Sequence, residues 1–108
     1  MHTFDTIDAV FAFIRQPPVA VLYVSAPNCG VCTVMKPKIA RIVDELDGVA
    51  MGAVSIADVP SLASEYHVLT APAVLVFAGG KEIWRGARFI DVEQLEQALA
   101  SAELYLQD

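Results

Sequence analysis

The sequence predicts an α/β fold, a central mixed β-sheet flanked by helices on both faces. Three observations predict it. Val19-Ala20-Val21-Leu22-Tyr23-Val24 and Ala73-Val74-Leu75-Val76-Phe77 are continuously apolar and partly β-branched, as strands covered on both faces read. Around them, apolar residues recur at helical spacing in longer segments. Gly79-Gly80 then joins the second run to a further short segment as a hairpin would, adding an antiparallel strand.

In chain order, Thr6 to Arg15 carries Ile7, Val10, Phe11 and Ile14, one face of an amphipathic helix. Asp5 or Thr6 can cap it, and Gln16-Pro17-Pro18 ends it because proline removes a donor and restricts its predecessor. The strand Val19–Val24 follows. A second helix runs from Gly30 or Val31 to Leu46, with Met35, Ile39, Ile42 and Leu46 as its stripe and Gly48 as its stop. Pro37 lies inside it and predicts a kink. Its charges oppose the helix dipole: Lys36, Lys38 and Arg41 come early, Asp44, Glu45 and Asp47 late. That layout reads as a solvated face, or as positive charge favouring a nearby thiolate.

Val49 to Ile56 is the next strand, and Asp58 to Tyr66 a short helix opening near Pro60. Pro72 stands at the head of the strand Ala73–Phe77, where no ladder donor is needed. Glu82-Ile83-Trp84-Arg85 reads as an antiparallel edge strand. Asp91, with Gln94 three residues on, resembles a capping box, and Val92, Leu95, Leu99, Ala102 and Leu106 continue a final helical stripe. The order is α-β-α-β-α-β-β-α, and sites in such sheets gather at the carboxyl ends of parallel strands.

With 108 residues and 56% hydrophobic composition, the chain reads as one domain over residues 1–108 with a single core, sufficient as a monomer. No apolar stretch is long enough to cross a membrane. Net charge is −6, which disfavours nucleic acid and anionic membranes as partners. Met1-His2-Thr3-Phe4-Asp5 has no Lys or Arg ahead of an apolar region, so no secretory signal is read there and the expected compartment is the cytoplasm. In a reducing compartment two cysteines are no structural staple; a pair kept there is expected to cycle.

The two cysteines, Cys29 and Cys32, are three positions apart at the junction of the strand Val19–Val24 and the second helix. One helical turn puts such residues on one face, within reach of a disulfide. The junction places Cys29 at a helix N-terminus, where unpaired N–H groups favour the thiolate and can pull a thiol from roughly 8.5 to near 7 or lower. The pair therefore reads as a redox-active dithiol, set against a plain reading as two small core residues. His2 reads as a frayed terminus and His67 as a surface residue. Tyr23 and Trp84 read as packing, and Glu65, Glu82 and Glu93 as solvated charges. No phosphate loop, Ser/His/Asp set or paired carboxylates appear, and neither a cofactor nor a single-chain metal site is expected.

Cys29-Gly30-Val31-Cys32 after an apolar strand, Pro37 in the following helix, Thr70-Ala71-Pro72 before Val74–Phe77, and Gly79-Gly80-Lys81 with Gly86 in the closing hairpin together resemble the thioredoxin family over nearly the whole chain. The resemblance implies the thioredoxin fold and a thiol–disulfide oxidoreductase that reduces or exchanges protein disulfides, in electron transport and cell redox homeostasis. It implies Cys29 as attacking nucleophile, Cys32 as resolving thiol and Pro72 as a cis-proline facing the dithiol. Thr70 and Ala71 would pair with the substrate backbone; Gly30 and Val31 would contact it, with Ala26 and Ala71 completing an apolar rim. The implied partners are disulfide-containing proteins and a thioredoxin-reductase-like electron donor.

The chain departs from the family pattern at four places. Asn28 stands for the usual Trp, and Gly-Val for the usual Gly-Pro between the cysteines. The family's buried acid aligns with Tyr23, and its lysine partner with Ala53, which removes both halves of a buried pair at once. Two alternatives from other classes stand beside the oxidoreductase: a non-catalytic module that holds extended peptides, and a dimer binding metal or an iron–sulfur cluster through the two thiolates. The glutathione-binding Gly-Gly-Asp of glutaredoxins has no counterpart, since Gly79-Gly80 falls in the hairpin.

Overall fold

A computed structural model describes residues 1–106. Its five-stranded sheet has the order β1-β3-β2-β4-β5, with β1 His2–Thr3, β2 Val19–Ser25, β3 Val49–Ser55, β4 Ala73–Ala78 and β5 Lys81–Ala87. β1, β3 and β2 run parallel; β4 is antiparallel to β2, and β5 to β4. The helices are α1 Ile7–Arg15, α2 Gly30–Asp44, α3 Leu62–Glu65 and α4 Val92–Ser101, the last followed by a 3₁₀ turn over Ala102–Tyr105. The α/β class and the mixed sheet are as expected. Among the described residues, no helix is long and apolar enough to cross a membrane.

The central strand β2 divides the core by its period of two. Ala20, Leu22 and Val24 join Val10, Phe13 and Ile14 of α1 and Leu62 of α3 on one face. Val19, Val21 and Tyr23 join Ile39 and Val43 of α2 and Leu95 and Leu99 of α4 on the other. Burying that much apolar surface on both sides at about 25 cal/mol per Å² is what holds the sheet between its helices.

The caps act as the sequence implied. Thr6 Oγ1 accepts from the Ala9 N–H at 3.1 Å, and an Asp91 carboxylate oxygen from the Gln94 N–H at 3.1 Å. Gly79 and Gly80 both have positive φ, +59° and +85°, the conformation a two-residue hairpin of this hand demands.

Several expectations are corrected. His2 is not a frayed terminus: it pairs in β1 opposite Gly52 of β3. The reason is Gly52, where an added Cβ would lie 2.5 Å from a Phe4 ring atom and 2.9 Å from a Phe13 ring atom. Phe4 lies over this bare backbone and draws the N-terminal residues along β3. On α1 the inward residue is Phe13, while Phe11 is half-buried. α2 stops at Asp44, leaving Leu46 40% exposed, and Val43 takes the buried place. α3 is only four residues, preceded by turns in which Val59 and Pro60 carbonyls accept from Leu62 and Ala63. Regular alternation fails in β5, where the register steps from Val76↔Trp84 to Phe77↔Glu82 and leaves Ile83 as a bulge.

Glu82 is not merely solvated. Its carboxylate accepts from Arg85 Nε and Nη2 at 2.6 and 2.7 Å, the one ion pair among the described residues. The same guanidinium donates to the Tyr66 and His67 carbonyls at 2.8 and 3.2 Å. Edge strand β5 thereby holds the loop that leads to Pro72.

Candidate active site

The site forms where β2 ends. Asn28 sits in the left-handed region with φ +58°, which asparagine tolerates better than most side chains, and turns the chain into α2. Cys29 is then the N-cap, its backbone extended and its sulfur accepting from the Cys32 N–H at 3.2 Å. A thiolate there would meet that donor and the positive end of the α2 dipole, both of which favour it. The two Cα atoms are 5.3 Å apart, and the sulfurs are joined as a disulfide. Their surroundings are unequal: Cys29 is half-buried at the surface, whereas Cys32 is 4% exposed. A solvent-borne disulfide can reach the first sulfur and not the second.

Under the dithiol lies Tyr23, fully buried, whose hydroxyl donates to the Cys32 carbonyl at 2.7 Å. This bond ties the first turn of α2 to the middle of the sheet. Burial pushes the phenol up to about 12, so it keeps its proton at neutral pH. A cavity of about 490 Å³ beside the pair is lined by Tyr23, Ser25 and Ala26 from the β2 end and by Thr33 and Lys36 from α2. Of the three early cations of α2, Lys36 alone lines it.

On the other side, the Ala71–Pro72 bond is cis, and Pro72 is buried at the head of β4. The Pro72 carbonyl accepts from the Arg88 N–H at 2.8 Å. Between the two elements runs a groove of about 320 Å³. Asn28, Cys29, Gly30 and Val31 line one wall, Ala71 and Pro72 the other, and Arg88 and Phe89 the end. The structure thus brings together Cys29, Cys32, Gly30, Val31, Ala71 and Pro72 as the sequence suggested. Thr70 is exposed beside the groove without lining it, and Ala26 lines the cavity on the far side of the pair.

Sequence reading missed the Tyr23 hydroxyl, Arg88 and Phe89. Tyr23 was open to recognition, since it alternates with Val19 and Val21 on the strand face that α2 covers. Arg88 and Phe89 carried no local signal; they reach the groove because Ala73 pairs with Ala87, which returns the end of β5 to Pro72. Among the described residues no three His, Cys, Asp or Glu side chains group to hold a metal ion.

The Thioredoxin family model matches residues 6–101 of the chain. Thioredoxin-like protein YdfQ of Bacillus subtilis (strain 168) is 37% identical over 87 residues, covering 81% of this chain and 78% of that protein. Thioredoxin 1 of Chlorobaculum tepidum is 29% identical over 75 residues, 68% of this chain and 74% of that one. Among solved structures, a mutant thioredoxin from Halobacterium salinarum superposes with a TM-score of 0.82 at 20% identity, covering 94% of this chain and 88% of that one.

Proposed function

The chain belongs to the thioredoxin family, and from that premise we propose that it is a thiol–disulfide oxidoreductase that reduces or exchanges disulfides of protein substrates through Cys29 and Cys32. One observation carries the proposal: the pair is divided into a reachable, helix-capping sulfur and a buried one.

In the reduced protein, the Cys29 thiolate attacks one sulfur of a substrate disulfide. The substrate S–S bond breaks, its far sulfur leaves as a thiolate, and Cys29 is held in a mixed disulfide. Cys32 then attacks Cys29, closing the 29–32 bond and expelling the second substrate sulfur. Two electrons pass from the dithiol to the substrate, and the Cys32 proton ends on a departing substrate thiolate. Tyr23 is not the base for that proton, because its own phenol is protonated and committed to the Cys32 carbonyl. It acts as a positioning residue for α2. The dithiol itself carries the electrons, so the cycle requires no bound cofactor. A reductase-like donor in the cytoplasm would restore the dithiol, and one copy of the chain suffices for each step. The groove bounded by Val31, Ala71 and cis-Pro72 would take the substrate backbone in extended form.

Cys32→Ser tests this. Lacking the resolving thiol, the variant should accumulate mixed disulfides through Cys29 with disulfide-containing proteins, visible on non-reducing gels and removed by dithiothreitol. If it traps nothing covalently yet still binds extended peptides, the protein is a binding module with a thioredoxin fold and the oxidoreductase reading fails.

A further inference from the structure

Arg88 and Phe89 are the residues of the groove that the chemistry of the dithiol leaves unused. Phe89 is 89% exposed, whereas Phe4, Phe13 and Phe77 are buried in the core. Val31, across the groove, is 55% exposed. Apolar surface held in water on two sides of a cleft favours whatever covers it. Arg88 is held at φ +64°, a backbone region uncommon for a residue with a side chain, and its N–H is fixed to the Pro72 carbonyl. Its guanidinium has no hydrogen-bond or ion-pair partner among the described residues, unlike that of Arg85. No carboxylate lines the groove, although the chain as a whole carries a net charge of −6. Arg88 is therefore the one Lys, Arg, Asp or Glu side chain lining a groove with apolar sides on an acidic protein. In the reduced form it stands across from the Cys29 thiolate with charge of its own to offer a ligand.

Resting on the function proposed above, we infer that the preferred substrate is an extended polypeptide whose disulfide is flanked by an acidic and an apolar residue. The carboxylate pairs with Arg88, whose planar fork suits it, and the apolar side chain covers Phe89 and Val31. A basic residue at the same place meets the uncompensated guanidinium and is disfavoured.

The test uses disulfide-bonded peptides that differ only beside one cysteine, carrying Glu, Ala or Lys there and Leu or Ser at the next position. The pre-reduced full chain is mixed with each, and peptide thiol is followed after acid quench. The wild type should reduce the Glu peptide about fivefold faster than the Lys peptide at low salt, a ratio that added salt compresses. Arg88→Ala should bring the ratio near one and Arg88→Glu should invert it. Phe89→Ala should lose the preference for Leu over Ser. Because each ratio is taken within one variant, partial loss of folded protein cancels. A Glu:Lys ratio that stays the same in all three Arg88 forms overturns the substrate class and leaves the oxidoreductase intact. A wild type that reduces none of the peptides overturns both.

Discussion

The two sides of the Cys29–Cys32 pair are built on opposite plans. Its floor is Cys32, Tyr23 and the strand beneath, all buried, with the phenol hydrogen-bonded to the Cys32 carbonyl and Ile39 of α2 packed on the same face. Its rim is Cys29, Val31, Arg88 and Phe89, partly or wholly in water. The difference teaches that two identical thiols are set apart both by burial and by place on the helix, one half-buried as the α2 N-cap and the other sealed beneath it. The residue types are the same, and the environment leaves one sulfur open to solvent and the other covered.

Removing either sulfur breaks that division most directly. Cys29→Ser should abolish disulfide reduction, since no other thiolate is reachable, while the fold persists; turnover assays with circular dichroism check both. On the floor, Tyr23→Ala removes a fully buried ring and should destabilise the protein by about 3–5 kcal/mol in denaturant unfolding. Tyr23→Phe keeps the ring and deletes one hydrogen bond, with an expected cost of about 1 kcal/mol.

The same residue predicts a pH dependence. The Tyr23 phenol is raised from 10 to about 12 by burial, so the folded state holds its proton more tightly than the unfolded chain. The stability this confers is complete below pH 10 and is lost as pH rises from there through about 12. Tyr66, also raised by burial, acts in the same direction. Tyr23→Phe should therefore flatten part, and not all, of the alkaline decline in melting temperature.

Two glycines give effects smaller than the loss of the Tyr23 ring. Gly52→Ala would thrust a methyl group into the Phe4 and Phe13 rings and should cost about 1–3 kcal/mol. Gly30→Ala, on the rim, meets nothing within 4 Å and should be neutral or stabilising by up to about 1 kcal/mol, read as a small rise in unfolding midpoint. A large loss at Gly30 would mean that the rim is packed as the floor is.

What the sequence disclosed follows the same line. Buried runs and helical stripes announce themselves by period, so β2, β4, α1, α2 and α4 were legible, as were the Cys-x-x-Cys and Pro72. β1 was not, because two residues carry no period and are placed by Phe4 lying over Gly52. The Ile83 bulge was hidden because Glu82 to Arg85 looks close to alternating. Tyr23 looked like packing, which it is; that its hydroxyl ends on the Cys32 carbonyl depends on where a different element lies. Arg88 and Phe89 join the groove through the β4–β5 register, a long-range pairing that no local pattern encodes.

The central claim is that a reachable and a buried sulfur form one reversible two-electron couple. Equilibrating the protein in glutathione or dithiothreitol buffers and counting free thiols measures it directly. The account predicts a single reversible transition of the 29–32 disulfide at or below about −180 mV, towards the figure of about −270 mV for a dithiol that donates electrons. Absence of any reversible 29–32 disulfide would contradict it, and a midpoint near about −120 mV would make the pair an oxidant instead of a donor.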